Sequence, residues 1–411
     1  MAILNIIEVV IAALFAVFCG YQTFYVLVHL FRRDVRPPRA PEKRYAVLIC
    51  ARNEEACIGQ LIESIAQQDY PAEKVSVFVM ADNCTDRTAE TAFRAGAEVY
   101  ERQNRTQIGK GYALEALLKA VKRDYGDVFD GYLVFDADNL LDRGYLRAIN
   151  DCMAQGYDLV TGYRSVKNYG DSWVSAGSGL YFLRESRYLN HSRSKLGLSC
   201  AISGTGFCFS RRLRKELGAW PYHLLTEDLE CTMARITAGD RIGYCPDAIL
   251  YDEQPREFSQ SWKQRLRWSK GYLQVFGRYG AALLRGIFRG SFSCYDMFAA
   301  NIPAVVLSGA SAVCAVVRTA LLLRGGVSPA DFLPLAGCVG MAYLTFFAMG
   351  ALTTVSQWKR LPAPCGKKLL YTLTFPLYMF TYVPITLTSL FARVEWTPIL
   401  HHAAELQRPA A

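Results

Sequence analysis

Apolar residues are gathered toward the two ends of the chain, and the middle alternates. Residues 3–31 form a nearly continuous apolar stretch, long enough at ~1.5 Å per residue to cross a hydrocarbon core. Residues 297–323 and 332–355 repeat that character, and 369–391 is a further candidate interrupted by Pro376 and Pro384, so four spanning segments are expected. From Tyr45 the pattern changes to short β-rich runs separated by stretches of helical period. Strands are expected at 45–50, 75–80, 97–102, 132–135 and 158–163, and helices at 54–68, 85–96, 111–124 and 142–155. This alternation predicts an α/β domain with a mostly parallel sheet. Further on, 173–195 reads as a long helix and 203–207 as a small-residue turn. Thr226-Glu227-Asp228 opens another helix, and 241–251 reads as a closing strand pair.

One stretch joins the polar and apolar parts. Residues 259–276 read SQSWKQRLRWSKGYLQVF. As a helix, this segment gathers Trp262, Leu266, Tyr272, Leu273 and Phe276 on much of one side, with Lys263, Arg267 and Lys270 around it. Such a helix can lie on a membrane surface. It can also present glutamine, arginine and tryptophan to an anionic, ring-bearing substrate. Arg32, Arg33, Arg36 and Arg39 follow the first apolar stretch, the reverse of a cleaved leader's charge layout. They put the end of a retained span in the cytoplasm and the N-terminus outside. Lys359, Arg360, Lys367 and Lys368 mark another cytoplasmic loop. If the last segment crosses, Arg393 and the tail lie outside.

The composition fits this layout. The chain has 411 residues, 52% of them hydrophobic, and a net charge of +9, enough for one sizeable globular domain plus a membrane part. The positive charge suits an anionic membrane face or a phosphate-bearing substrate, and nothing resembles a nucleic-acid module. The thirteen cysteines lack ligand spacing and read as reduced. His401-His402 read as surface or interfacial residues.

The polar motifs fall where predicted strands end, where ligands of parallel sheets gather. Asp136-Ala137-Asp138 can turn two carboxylates toward Mg²⁺ or Mn²⁺, whose shell is completed by water and substrate phosphates. A helix cap beginning at Asp138-Asn139 explains the same residues as well. Thr226-Glu227-Asp228 is either an N-cap with acids in the first turn or the seat of a general base, with Asp228 preferred and Glu227 second. Asp82 can accept from a nucleobase or ribose hydroxyl, or form a loop Asx-turn. Lys110, flanked by glycines, can approach a phosphate or stay solvated. Arg265 and Arg267 offer guanidinium forks for phosphate oxygens, and Trp268 a flat face for a sugar ring.

Taken in order, Asp82, Asp136-Ala137-Asp138, Thr226-Glu227-Asp228 and Gln264-Arg265-Leu266-Arg267-Trp268 resemble the inverting family 2 glycosyltransferases. The likeness is greatest to the membrane-embedded branch with cellulose, hyaluronan and poly-N-acetylglucosamine synthases. It extends by motif from Tyr45 to about Phe276. It implies a Rossmann-like GT-A nucleotide-sugar domain inserted between transmembrane helices. Asp82 would contact the nucleotide, Asp136 and Asp138 the metal-bound diphosphate, and Asp228 would be the base. Gln264, Arg265, Arg267 and Trp268 would hold the diphosphate and acceptor. Arg52-Asn53-Glu54 resembles the family's first nucleotide loop, Ser203-Gly204-Thr205 its acceptor-side loop, and 394–399 the end of many such synthases.

These expectations divide the chain into a membrane helix (1–33), a cytosolic GT-A domain (42–256), an interfacial helix region (257–292) and a C-terminal membrane region (293–411). The leading function is a multi-pass plasma-membrane enzyme that extends a β-linked polysaccharide from a nucleotide-sugar, with UDP as the expected nucleotide. Transfer of a single sugar to a membrane lipid or lipid-linked acceptor is the alternative, and a catalytically silent scaffold a third. Four spans are fewer than in the larger polymer-secreting relatives, so a channel would need interfacial helices or a second copy of the chain.

Overall fold

The computed structural model describes residues 2–301, 303–325 and 333–395. The sheet is built from β1 (Tyr45–Ala51), β2 (Val75–Asp82), β3 (Glu98–Arg102), β4 (Gly131–Asp136), β5 (Leu140–Leu141), β6 (Leu159–Val166), β7 (Phe207–Ser210) and β8 (Gly243–Asp252). Its order is β3-β2-β1-β4-β7-β6-β8-β5. The first four strands pair in parallel, β7 runs antiparallel to both its neighbours, and β6 and β8 are again parallel. The helices of this part are α1 (Ala2–Phe31), which precedes it, α2 (Ile58–Ala66), α3 (Thr88–Arg94), α4 (Lys110–Tyr125), α5 (Tyr145–Met153), α6 (Trp173–Arg184), α7 (His191–Lys195), α8 (Arg211–Leu217) and α9 (Glu227–Ala238).

Alternation along β1 explains the layering. Ala46 and Leu48 point into one core with Leu114, Leu117 and Val121 of α4, while Val47 and Ile49 point into a second with Ile58, Leu61 and Ile65 of α2. All four β1 side chains are fully buried, as expected of a parallel strand covered on both faces. Where expectation and structure differ, local chemistry is the reason. Residues 52–57 are consumed by a loop in which Asn53 has a φ of 58°, so α2 starts at Ile58 instead of 54. The expected helix 173–195 is broken by a π-helical turn, Glu185–Asn190. The expected strand pair at 241–251 is one strand, β8, between β6 and β5. β7 and α8 were not expected; β7 has four residues, too few to show a period.

The remaining helices are α10 (Phe258–Phe288), α11 (Phe292–Asn301), α12 (Pro303–Gly325), α13 (Leu333–Ser356), α14 (Cys365–Phe380) and α15 (Tyr382–Phe391). Among the described residues, three stretches are long and apolar enough to cross a membrane: Ile3–Phe31, Ala336–Ser356 and Cys365–Phe391. The expected span at 297–323 is divided between α11 and α12. Arg318 of α12 pairs with Glu8 of α1, Nε to Oε1 at 3.0 Å, and donates to Asn5. Pro376 lies inside α14 and Pro384 in the first turn of α15, where a missing N–H is harmless. The expected start of the next span at 332, the motif residues 396–399 and His401-His402 lie outside the described residues. The described cysteines are unpaired and mostly buried.

A buried ion pair fastens α1 to the rest. Arg193 of α7 donates from Nε and Nη2 to Asp296 of α11 at 2.7 and 3.0 Å. Tyr21 and Tyr25 of α1 donate to the same carboxylate, each at 2.7 Å. Asp296 is wholly buried. Every lone pair is answered, which a desolvated pair requires. Asp296→Ala strands the guanidinium and should cost about 3–5 kcal/mol, read as a lower midpoint of thermal unfolding in detergent. Removing both charges with Arg193→Met and Asp296→Leu should recover most of it; equal losses in the two variants would show that charge pairing is not the cause.

Candidate active site

The carboxyl ends of β1, β2 and β4 open into a cavity of about 1670 Å³. Its polar end is lined by Arg52, Glu54, Asp82, Lys110, Asp136, Asp138, Ser203, Gly204, Glu227, Asp228, Gln264, Arg267 and Trp268. Parallel pairing of β1 with β2 and β4 brings three sequence-distant loops to one rim. Asp82, at the end of β2, accepts from Arg102 of β3 at 2.5 Å, so it is a paired group at the rim and not an Asx-turn. Asp138 does not cap a helix, because Leu140–Leu141 is a strand. It is buried, and its Oδ2 accepts from the Glu253 N–H at 3.1 Å.

Lys110 occupies the first turn of α4, after Gly109 at φ 132°. The next residue must be glycine: a Cβ at Gly111 would lie 2.1 Å from the Tyr222 carbonyl oxygen. This close approach holds Lys110 over the strand ends, where its ammonium pairs with Asp136 and donates to the Gly204 carbonyl at 2.7 Å. Despite burial, the carboxylates of Asp136 and Glu227 keep its pKa raised. Gly204 has a φ of 78°, and a Cβ on it would point into the space between Asp136 and Asp228, 3.9 and 3.8 Å from their Oδ2 atoms.

α9 begins at this space. Thr226 stands at the N-cap position, yet its side chain makes no capping bond and its hydroxyl is buried without a partner. Thr226 packs instead on Gly271 of α10, where a Cβ would come within 2.6 Å of its Oγ1. Glu230 braces the approach, accepting from the N–H groups of His223 and Leu224, both at 2.9 Å. Glu227 and Asp228 are thus carried inward side by side. Burial, reinforced by Asp228, pushes Glu227 up to about 7. Burial also raises Asp228, against the pull of the Leu229 N–H, Lys110 and Arg267.

α10 closes the cavity with Gln264, Arg267 and Trp268. Arg267 donates to the Leu225 carbonyl at 3.3 Å, and Trp268 meets Phe182 edge-on at 5.7 Å. Arg265, expected beside them, does not line the cavity. It is fully buried on the opposite side, 4.3 and 4.9 Å from the ring centres of Tyr378 and Tyr382, and donates to the Thr381 hydroxyl at 2.6 Å. Nor is the expected apolar side of this helix free for lipid: Tyr272 lines the cavity and Phe276 packs against Phe298. Two other expected residues brace loops without lining the cavity. Asn53 accepts from the Thr85 N–H at 2.8 Å, and Thr205 accepts from the Asp136 N–H at 3.0 Å.

The cavity also holds groups that no sequence motif marked: Arg164, Glu185, Asp252 and Glu253. Arg164 pairs with Asp252 and donates to the Ser203 carbonyl at 2.8 Å. Asp252 ends β8 just as Asp82 and Asp136 end their strands, so the strand-end rule could have found it. Burial pushes its carboxyl up to about 6, with Asp138 and Asp136 adding to the rise. Among the described residues no three acidic, histidine or cysteine side chains form a metal cluster. Two carboxylates at one strand end, with diphosphate and water supplying the other oxygens, are nevertheless the usual donor set for Mg²⁺, and Asp136 and Asp138 fit it. The raised carboxyls also affect stability. In the donor-free protein the neutral form of Glu227 is favoured by the fold, so its contribution is full below the ordinary carboxyl range near 4.5 and lost as pH rises toward about 7. Thermal unfolding followed against pH should show this downward slope in the wild type and a flatter one in Glu227→Gln; identical slopes would refute the assignment.

Comparison with known proteins agrees with this architecture. Residues 41–271, more than half of the chain, match the family described as glycosyltransferase like family 2. A Bacillus subtilis (strain 168) protein named "Probable glycosyltransferase YdaM" is 26% identical over 65% of this chain and 63% of its own length. The Synechocystis beta-monoglucosyldiacylglycerol synthase is 23% identical over 89% of this chain and 76% of its own. The poly-beta-1,6-N-acetyl-D-glucosamine synthase of Staphylococcus aureus (strain COL) is 25% identical over 56% and 55%. The chain therefore matches less than two thirds of the length of the Bacillus and Staphylococcus proteins. Among solved structures, the Pyrobaculum calidifontis mannosyltransferase PcManGT, in complex with GDP-Man and Mn²⁺, shares the GT-A fold with a TM-score of 0.61 at 20% identity, over 94% of this chain and 99% of that one. With a GT-A sheet whose strand ends converge on one acidic cavity, and with this match across the domain, the chain belongs to glycosyltransferase family 2.

Proposed function

We propose that the protein transfers a single sugar, with inversion, from a nucleotide-sugar to a hydroxyl of a membrane-lipid acceptor. One observation carries the choice of acceptor. The cavity lined by Asp136 and Asp228 also takes in residues of α1, α12, α13 and α15, with Ile11, Phe15, Ala315, Leu344 and Phe346 among its lining. Such a lining suits hydrocarbon and gives a sugar polymer few hydrogen-bonding partners. The Synechocystis beta-monoglucosyldiacylglycerol synthase aligns with 89% of this chain. Extension of a polysaccharide is the second reading, supported by the poly-N-acetylglucosamine synthase match.

The residues divide the work as follows. Arg52, Glu54 and Asp82 bind the nucleoside at the rim, with a UDP-sugar as the expected donor. Asp136 and Asp138 would hold Mg²⁺ or Mn²⁺, which would stabilise negative charge on the departing diphosphate. Lys110 and Arg267 add fixed positive charge to the same space. The acceptor oxygen attacks the anomeric carbon opposite the leaving group. The new carbon–oxygen bond forms as the bond to the diphosphate breaks, and the hydroxyl proton passes to Asp228. Burial raises the proton affinity of Asp228, which suits a carboxylate asked to act as base near neutral pH. Glu227 supports it, and Trp268 and Gln264 border the sugar. Ser203 and Gly204 leave room for the acceptor. The arginines after α1 favour a cytoplasmic catalytic domain, with residues 42–256 as its extent.

Asp228→Asn should lower turnover about 100-fold or more while donor affinity, read by calorimetry, is retained; full activity in this variant would end the base assignment. Asp138→Ala should weaken donor binding and make it indifferent to chelator, whereas binding in the wild type should fall when cation is removed. Labelled nucleotide-sugars supplied to the protein in nanodiscs should give a solvent-extractable lipid carrying one sugar. A high-mass, glycosidase-sensitive product would overturn the lipid reading in favour of the polymer.

A further inference from the structure

The π-helical turn Glu185–Asn190 contributes Glu185, Tyr188 and Leu189 to the cavity lining. An extra residue in one helical turn re-aims the side chains beside it, and such turns cluster at functional sites. Here the turn carries Glu185 into the cavity, within electrostatic reach of Asp228. The side chain of Glu185 makes no hydrogen bond or ion pair with any described residue, while its N–H is used by the helix. The cations around it are already engaged. Arg193 is held by Asp296 and Asn190, Arg164 by Asp252 and the Ser203 carbonyl, and Arg184 meets Gln22 of α1. Glu185 is half-buried, so its carboxylate is left to whatever the cavity holds. A ligand with hydroxyl donors can take that place.

We propose that Glu185 receives the hydroxyl groups of an uncharged polyol head, glycerol or a sugar, whose hydrocarbon chains lie in the arm between α1, α12 and α13. This rests on the lipid-acceptor reading above and narrows it to neutral lipids. Glu185 and Asp228 offer acceptors to hydroxyl donors, and the neighbouring cations Arg164, Arg184 and Arg193 are engaged elsewhere, so a neutral head is favoured there over a phosphate. Burial raises the Glu185 carboxyl; a donor hydroxyl pairs with either protonation state, and a phosphate gains no attraction from either. The arm suits chains for a steric reason as well. Ala312 and Ala315 of α12 line it together with Ile11 and Phe15 of α1, and their small side chains leave room beside the contact of the two helices.

The test uses the full chain in nanodiscs with labelled nucleotide-sugar and, separately, dioleoylglycerol, its monoglycosylated form, dihexanoylglycerol and a polyprenyl monophosphate. Neutral lipids should be glycosylated in preference to the polyprenyl phosphate. E185Q should raise the KM for the neutral acceptor about tenfold with a smaller effect on kcat and no change in donor affinity, and E185D should recover part of the loss. Ala315→Phe should lower the ratio of turnover on dioleoylglycerol to that on dihexanoylglycerol about fivefold. Preference for the phosphate, or a lipid product with wild-type acceptor KM in E185Q, overturns this inference and leaves the lipid reading standing. A polymer product overturns both.

Discussion

Like charges crowded into a space with little water set the terms for the rest of the structure. Asp82, Asp136, Asp138, Glu227, Asp228, Asp252 and Glu253 all line one cavity, and each would repel the others if left alone. The protein answers with buried cations delivered from separate elements: Lys110 from the start of α4, Arg102 from β3, Arg164 from β6 and Lys167 just beyond it. Burial still leaves the carboxyls of Glu227 and Asp252 raised, with neighbouring acids adding to the rise. A pocket balanced in this way has little need of more anion, yet it retains cationic side chains and room for a divalent ion, which together match a diphosphate.

How much of this was legible beforehand depends on the kind of signal. β1, β2 and β4 were readable because each is a largely apolar run bounded by turn residues, and the acids ending β2 and β4 followed from the parallel sheet. β7 was not, since its four residues show no period and its place between β4 and β6 depends on tertiary pairing. Arg265 shows a different limit. Read as one motif, Gln264 to Trp268 looks like a single binding group. On a helix, residues two apart point ~200° from each other, so Arg265 and Arg267 cannot share a face. Gln264, Arg267 and Trp268, at spacings of three and four, can. Helical geometry applied to the motif would have separated them.

Glu185 and Arg164 mark what sequence could not supply. Each lies inside a regular element with no spacing to distinguish it from a solvated charge, and each acquires its setting from a distant partner or from a change in helical winding. The long helix expected across 173–195 also hid the π-helical turn, because apolar periodicity does not report one extra residue per turn. Asn53 and Thr205 sit beside the chemistry in sequence but hold the loops on which neighbouring residues stand.

The cage around Arg265 gives α10 two masters. One side of the helix carries the indole and guanidinium that close the cavity; the other is locked by Tyr378 and Tyr382 at the break between α14 and α15. Those last helices form one of the apolar stretches long enough to span a bilayer. A thinner or thicker hydrocarbon layer changes the tilt of such a segment. Arg265 thus ties the helix that carries Gln264, Arg267 and Trp268 to a segment whose tilt depends on bilayer thickness.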